Sequence, residues 1–465
     1  MAQLQIQTHL KQLVSDEQAY LYRIIPVAYD QDSISFLTDK VTTDKTRELQ
    51  ILFDKTVFLE EESASKIDEL LSFNFRKKQQ SSQFNYSEDF ILNLLYNAKS
   101  VSGSDIHLEP YEDNARIRFR IDGKLIEQHI VRLEDYPVLV NKIKIKANLD
   151  ISEKRLPQDG RISINAKGEE FDIRVSSLPT LYGEKIVMRI LNKDANALDI
   201  QDLGMTKKEL RQYQEQVQKP NGIILISGPT GSGKTTTLYA TLKQLNTNET
   251  NILTIEDPIE YTLKGINQVQ LKESIGLDFP NTLRTFLRQD PDIIMIGEIR
   301  DAKTANMAVR AALTGHLVLS TIHTNSAWAT INRLIDMGIP SYLLASTLNM
   351  SLAQRLLRTL CPHCKTKKPA DPNDFPEHYK IPKDLQTYYK PVGCPECYYT
   401  GYSGRKAIYE IIPIIKTLKE KIKNNDLEIE DHCIEHNITN LRQNALQLLK
   451  DGQTSAKEVY PFLLD

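Results

Sequence analysis

The segment Gly228-Pro229-Thr230-Gly231-Ser232-Gly233-Lys234-Thr235 matches the pattern GxxxxGK[ST] of a phosphate-binding loop. It follows the apolar run Ile223-Ile224-Leu225-Ile226 and precedes a stretch with Leu238 and Leu242 at helical spacing, so it falls between a strand and a helix. Glycines at these positions let successive backbone N–H groups turn inward around phosphate oxygens. Lys234 can reach the β- and γ-phosphates, and the Thr235 hydroxyl can ligate Mg²⁺. With Thr236 just inside the helix, Gly228 through Thr236 are the expected nucleotide-binding residues. A chance match in a Gly-rich turn is the competing explanation, and the flanking strand and helix argue against it.

Hydrolysis also needs acidic groups for the metal and the attacking water. Ile293-Ile294-Met295-Ile296-Gly297-Glu298 is an apolar strand ending in a carboxylate, as in a Walker B element. Thr254-Ile255-Glu256-Asp257-Pro258-Ile259-Glu260 ends another strand in a cluster of carboxylates. Such tip acids otherwise cap following helices. Two histidines flank a further apolar strand, His316 before it and His323 after it, which suggests sensing of the γ-phosphate; a lone histidine is more often a structural hydrogen-bonder.

Cys361-Pro-His-Cys364 and Cys394-Pro-Glu-Cys397 are two CxxC knuckles with 29 residues between them. Together they offer four thiolates to one tetrahedral Zn²⁺. His363 is an alternative ligand, reduced metal-free cysteines are the bland alternative, and Cys433 reads as an ordinary helix residue. In a long chain without an export signal such pairs suggest metal before disulfide.

These groups need a scaffold of some size. The chain has 465 residues, enough for about three domains. Its formal charge of −3 gives no basic excess for wrapping nucleic acid. Apolar residues at 40% and charged residues at 26% fit a globular protein. No apolar run approaches the roughly 20 residues that span a bilayer. The first residues lack a basic segment followed by an apolar core, so the expected compartment is the cytoplasm.

Residues 1–80 read as a small mixed module: a helix over 8–22, strands at 23–29 and 33–37, a strand around Val57, and a helix with Ile67, Leu70 and Leu71. A polar linker covers 76–85. Residues 85–200 read as a helix followed by alternating strands near 106–108, 115–121, 125–130, 161–164, 171–175 and 185–191. The Asp122-Gly123 pair marks a hairpin. From about 205 to 358, apolar strands alternate with helices, the pattern of a parallel α/β sheet. The strands expected there are 222–227, 251–256, 293–297 and 317–321. A cysteine module over 359–405 and a helical tail over 406–465 complete the chain.

In this order and spacing, Gly228–Thr235, Thr254–Glu260, Leu287–Asp292 leading into Gly297-Glu298-Ile299-Arg300-Asp301, and Thr314–Asn325 resemble the Walker A, Asp box, Walker B and His box of secretion ATPases. More narrowly, the chain from about residue 85 onward is similar to the type II secretion and type IV pilus assembly ATPases (GspE/PilB). Ser104–Pro110, Arg120–Gly123, Leu156–Arg161 and Arg174–Pro179 carry that likeness as well. The resemblance implies a RecA-like P-loop core preceded by a PAS-like α+β domain, with ATP between them in a homo-hexameric ring. It implies Glu256 as general base with Glu260 nearby, Glu298 as the Walker B acid, and His316 and His323 as reporters of the γ-phosphate. Arg161 and Arg174, then Arg118, are the candidates for arginines that reach the phosphates. Cofactors would be ATP, Mg²⁺ and Zn²⁺. Partners would be inner-membrane platform proteins, with residues 1–80 docking the ring at the membrane. The metal module and the N-terminal extension favour assembly or secretion over retraction. A RecA-type nucleic-acid motor is the alternative, weakened by the near-neutral charge.

Overall fold

A computed structural model describes residues 10, 13–30, 32–75, 90–166, 169–191, 199–426 and 428–464. The expected linker at 76–85 lies outside the described residues.

The N-terminal unit has three strands, β1 (Ile24–Tyr29), β2 (Ser33–Thr38) and β3 (Thr56–Glu61), in that order. β1 and β2 are antiparallel, whereas β2 and β3 are parallel. A parallel pair needs a crossover. It is the helix Thr43–Phe53, absent from the sequence reading because its sole buried residue, Leu49, gives little apolar periodicity. Ile25, Phe36, Leu49, Ile67 and Leu71 form the small core.

The second unit contains β4 (Gly103–Pro110), β5 (Ala115–Ile121), β6 (Lys124–Val131), β7 (Gln158–Ala166), β8 (Glu169–Thr180) and β9 (Gly183–Leu191). They make one antiparallel sheet in the order β6-β5-β4-β9-β8-β7. Helices Phe90–Ser100 and Tyr136–Lys146 contribute Leu94, Leu95, Leu139 and Ile143 to a core with Ile106, Ile117, Phe119, Ile173 and Met188. The residues of β5 alternate between buried and half-exposed. The register sets Arg161 opposite Arg174, Arg174 opposite Arg189, Arg189 opposite Asp105 and Asp105 opposite Arg120. Directly opposed residues share a face, so one row of arginines crosses the sheet.

The third unit is a seven-stranded sheet of β10 (Gly222–Ser227), β11 (Ile252–Glu256), β12 (Asn267–Gln270), β13 (Ile293–Ile296), β14 (Leu317–Ile322), β15 (Leu348–Leu360) and β18 (Tyr402–Pro413). Its order is β12-β11-β13-β14-β10-β15-β18, parallel except for the antiparallel β15–β18 pair. β10 is buried throughout, as a parallel strand covered on both faces must be. Ile224 and Ile226 pack with Tyr213, Leu238 and Leu242, while Ile223 and Leu225 join Phe286, Ala308, Ile331 and Leu448 on the other face. β12, β15 and β18 extend the sheet beyond the four expected strands. β15 closes against 402–413, a segment that the sequence reading assigned partly to the cysteine module and partly to the helical tail. A small hairpin, β16 (Thr366–Pro369) with β17 (Thr387–Lys390), lies between them. The tail beyond Lys416 is helical, as expected.

Candidate functional site

The strand register brings the chemistry together. Ser227 pairs with Ile322, and Ile296 with both Ser320 and Ile255. The loops after β10, β11, β13 and β14 therefore leave one edge of the sheet, the carboxyl edge where open α/β folds bind ligands. The phosphate loop runs from Gly228 into the helix Lys234–Leu245. Gly231 and Gly233 adopt φ of 79° and 88°, which favours glycine. A Cβ on Gly228 would meet the Gln354 carbonyl and the Ser232 hydroxyl at 2.6 Å, so the loop leaves no room for one. Lys234 is buried, and its ammonium donates to the carbonyls of Gly228 (2.8 Å) and Pro229 (3.0 Å). Burial lowers its pKa, and the nearby Glu298 charge opposes that shift. Thr235 is exposed at the first helical turn.

Glu298 stands just beyond β13. Arg300 pairs with one of its oxygens, and His323 Nε2 lies 3.5 Å from the other. Arg300 also reaches within 3.9 Å of Asp257. The sequence placed Arg300 in the Walker B segment without seeing this bridge, because the two acids are joined only by the sheet.

Glu256 and His316 differ from expectation. Glu256 is only 3% exposed. Its carboxylate accepts hydrogen bonds from Tyr239, Thr254 (2.6 Å) and Gln268 (3.1 Å). A carboxylate held by three neutral donors inside the sheet is poorly placed to activate water. Tyr239 also accepts from the Glu260 backbone N–H at 3.3 Å, which links Glu256 to the acidic segment. His316 precedes β14 and bonds Ala311 O (2.8 Å) and Thr314 (3.1 Å). That is the opposite edge of the sheet, a six-residue strand or about 20 Å from the phosphate loop. The sequence already set the two histidines at the two ends of this strand, and the parallel register puts only His323 at the carboxyl edge beside the phosphate loop.

The candidate arginines separate too. Arg174 crosses to the third unit, bonding Ile259 O and lying 3.5 Å from Glu260. Arg161, largely exposed, is paired with Asp172 of its own sheet. Arg118 is locked in a fork on Glu109 at 2.7 and 2.8 Å. The sequence reading did not single out Arg189, which pairs with Asp105 at 3.0 Å, or Arg355 on β15. Arg355 went unseen because β15 was not among the expected strands.

Sulfur atoms of Cys361 and Cys394 lie 3.8 Å apart, those of Cys364 and Cys397 3.8 Å, and those of Cys394 and Cys397 3.7 Å. Four thiolates at about 2.3 Å around a tetrahedral ion would stand about 3.8 Å from one another, so this donor set fits Zn²⁺. Backbone N–H groups of Gly393 (3.3 Å), Cys394 (3.2 Å) and Gly401 (3.2 Å) donate to the sulfurs, hydrogen bonds that orient thiolates and offset their charge. His363 lies outside the cluster.

The family described as Type II/IV secretion system protein matches residues 80–461. The chain is 50% identical over 374 residues to the type IV pilus assembly ATPase PilB of Myxococcus xanthus, covering 79% of this chain and 66% of that one. It is 46% identical over 368 residues to the type II secretion system ATPase E of Vibrio cholerae, covering 79% and 73%. The crystal structure of the pilus retraction motor PilT with bound ADP superposes with a TM-score of 0.55 at 26% identity, covering 81% of this chain and 97% of that one. The Legionella pneumophila ATPase DotB, at 20% identity and a TM-score of 0.61 over 81% and 96%, shares the fold. With its family match spanning most of the sequence, this chain belongs to the Type II/IV secretion system proteins.

Proposed function

We propose that this chain is an ATP-hydrolysing motor, acting as a homo-hexamer, that powers assembly of pilin-like subunits in type II secretion or type IV pilus biogenesis. The observation that carries the reading is the convergence of Lys234, Glu298 and His323 at one sheet edge in a chain of this family. Lys234 exchanges its two carbonyl partners for phosphate oxygens when ATP enters the loop. The Thr235 hydroxyl and the Glu298 carboxylate are hard oxygen donors suited to Mg²⁺, which neutralises phosphate charge when bound. Glu298 orients water and accepts its proton, with Arg300 and His323 fixing its two oxygens. Glu256 acts one layer back, through Tyr239. Glu260 receives Arg174 of the preceding unit, a contact that ties the position of the arginine-bearing sheet to the site. His316 is assigned a structural role.

The ring works at the cytoplasmic face of the inner membrane through platform proteins docked on the N-terminal unit. Among the described residues no helix is long and apolar enough to cross a membrane. The testing experiment is phosphate release from ATP and Mg²⁺ by the purified chain beside its Lys234→Ala variant. Loss of release in the variant supports the site. Equal release in both would end the assignment.

A further inference from the structure

Arg355 is a half-buried cation with no carboxylate beside it. No ion pair within 4.0 Å forms to it among the described residues. Its Nη1 donates to the Gln354 carbonyl at 3.0 Å and its Nη2 to the Asn325 carbonyl at 2.8 Å. A guanidinium carries five N–H donors, so three remain for another partner. The acid whose charge reaches it is Glu410, which already accepts from the Ala327 backbone N–H at 2.9 Å. Burial drives the arginine's pKa down, the mark of a charge held in place without compensation.

Its position indicates what would compensate it. β15 runs beside β10 in parallel, with Ala353 opposite Ser227, so the residues after Ala353 flank the start of the phosphate loop. The Nη1 atom lies 3.1 Å from where a Cβ on Gly228 would sit. Its charge lowers the pKa of Lys234, whose ammonium is bonded to the carbonyls of Gly228 and Pro229, so both cations stand at the start of the same loop. The guanidinium lines a cavity of about 860 Å³ together with Gly231 of the loop and with Asn325 and Ser326, which follow His323. Two cations at one glycine-lined loop fit an anion with several phosphate oxygens, which a planar fork can grip in two places.

We propose that Arg355 is a phosphate-binding residue of the nucleotide site, supplied by the same chain from the strand beside the loop, and that it holds the polyphosphate of ATP or ADP. Its carbonyl partners also join β15 to the loop carrying His323, so the grip on phosphate and the position of His323 are linked. This rests on the ATP-site reading above.

The test is equilibrium titration of the full chain with a fluorescent ADP analogue, with unlabelled ADP and AMP as competitors, for wild type, Arg355→Gln and Arg355→Lys. Losing a charge-assisted contact should weaken ADP by about 10- to 100-fold in Arg355→Gln. AMP should be nearly unaffected, and Arg355→Lys should recover part of the loss. A merely structural arginine would lower ADP and AMP affinity together, and that result would overturn the proposal. So would ADP affinity in Arg355→Gln equal to wild type. If the glutamine variant fails to fold, the lysine variant decides, because it keeps the charge but not the fork: undiminished ADP affinity there refutes a fork contact, and a selective loss of ADP over AMP supports it. Failure of the wild-type chain to bind the ADP analogue would instead sink the ATP-site reading, and this inference with it.

Discussion

Two glutamates of similar sequence context part company once their surroundings are compared. Glu298 lies at a strand tip between Arg300 and His323, whereas Glu256 is enclosed by three hydrogen-bond donors. Glu298→Gln should therefore keep ATP binding, lose turnover by at least ~100-fold, and melt like wild type, since its loss falls on the reacting centre. Glu256→Gln would turn an amide N–H₂ toward those donors and should lower stability by about 1–3 kcal/mol, with a smaller loss of rate. Thermal unfolding and phosphate release measured on both variants separate the two roles, and a destabilised Glu298→Gln with an unaffected Glu256→Gln would reverse them. Arg118 belongs with the structural set. Burial alone would raise the pKa of Glu109, but hydrogen bonds and charge from Arg118 and Lys185 outweigh it and hold the carboxyl at about 2. Because the folded value lies below the unfolded one, the stabilisation is full above about pH 4.5 and drains away as pH falls toward 2. Denaturant unfolding should show that decline in wild type and a flatter one in Arg118→Met, which should also be less stable at neutral pH. An identical pH profile in the two proteins would count against the pairing.

At the level of elements, the sequence announced most strands of the parallel sheet because each is a short apolar run, and it announced the phosphate loop because that pattern is local. It did not announce β15 and β18. The stretch Leu348–Leu360 mixes Asn349, Gln354 and two arginines with its leucines, since its polar residues serve the loop beside it, and periodicity was lost. The cysteine module also has packing of its own. Phe375, Leu385 and Tyr388 are buried in the main core cluster, and Lys450 reaches Asp384 at 2.6 Å. A metal held by the four cysteines would clasp the ends of the module, where Cys361 follows β15 and Cys397 precedes β18, while apolar contacts hold its middle. One Zn²⁺ per chain is expected by metal analysis. Cys394→Ser should lower that ratio and raise hydrogen exchange around 361–364 and 394–401, leaving the segment 375–388 protected. Uniform loss of protection across 361–401 would mean that the metal organises the whole module.

On the scale of the whole molecule, polar contacts join the second unit to the third at two places among the described residues. Arg174 meets Ile259 and Glu260, and Asp122 in the β5–β6 turn accepts from the Gly404 N–H at 2.9 Å and faces Arg405 at 3.6 Å. Both are small polar contacts of a kind that domain motion can exchange. Neither was legible in the sequence, because residues 86 and 282 positions apart leave no local pattern. Arg174→Ala should reduce turnover by at least ~10-fold with little change in ATP binding, as expected of an arginine that acts when units close. The same arrangement implies that isolated protomers are slow and rings fast. The most direct measurement is steady-state phosphate release from ATP and Mg²⁺ across protein concentrations that span ring assembly, for wild type and Lys234→Ala, with assembly followed by light scattering. The account predicts specific activity that climbs with ring formation in wild type and is absent in Lys234→Ala at every concentration. Specific activity independent of concentration down to monomer, or activity that survives the loss of Lys234, would contradict it.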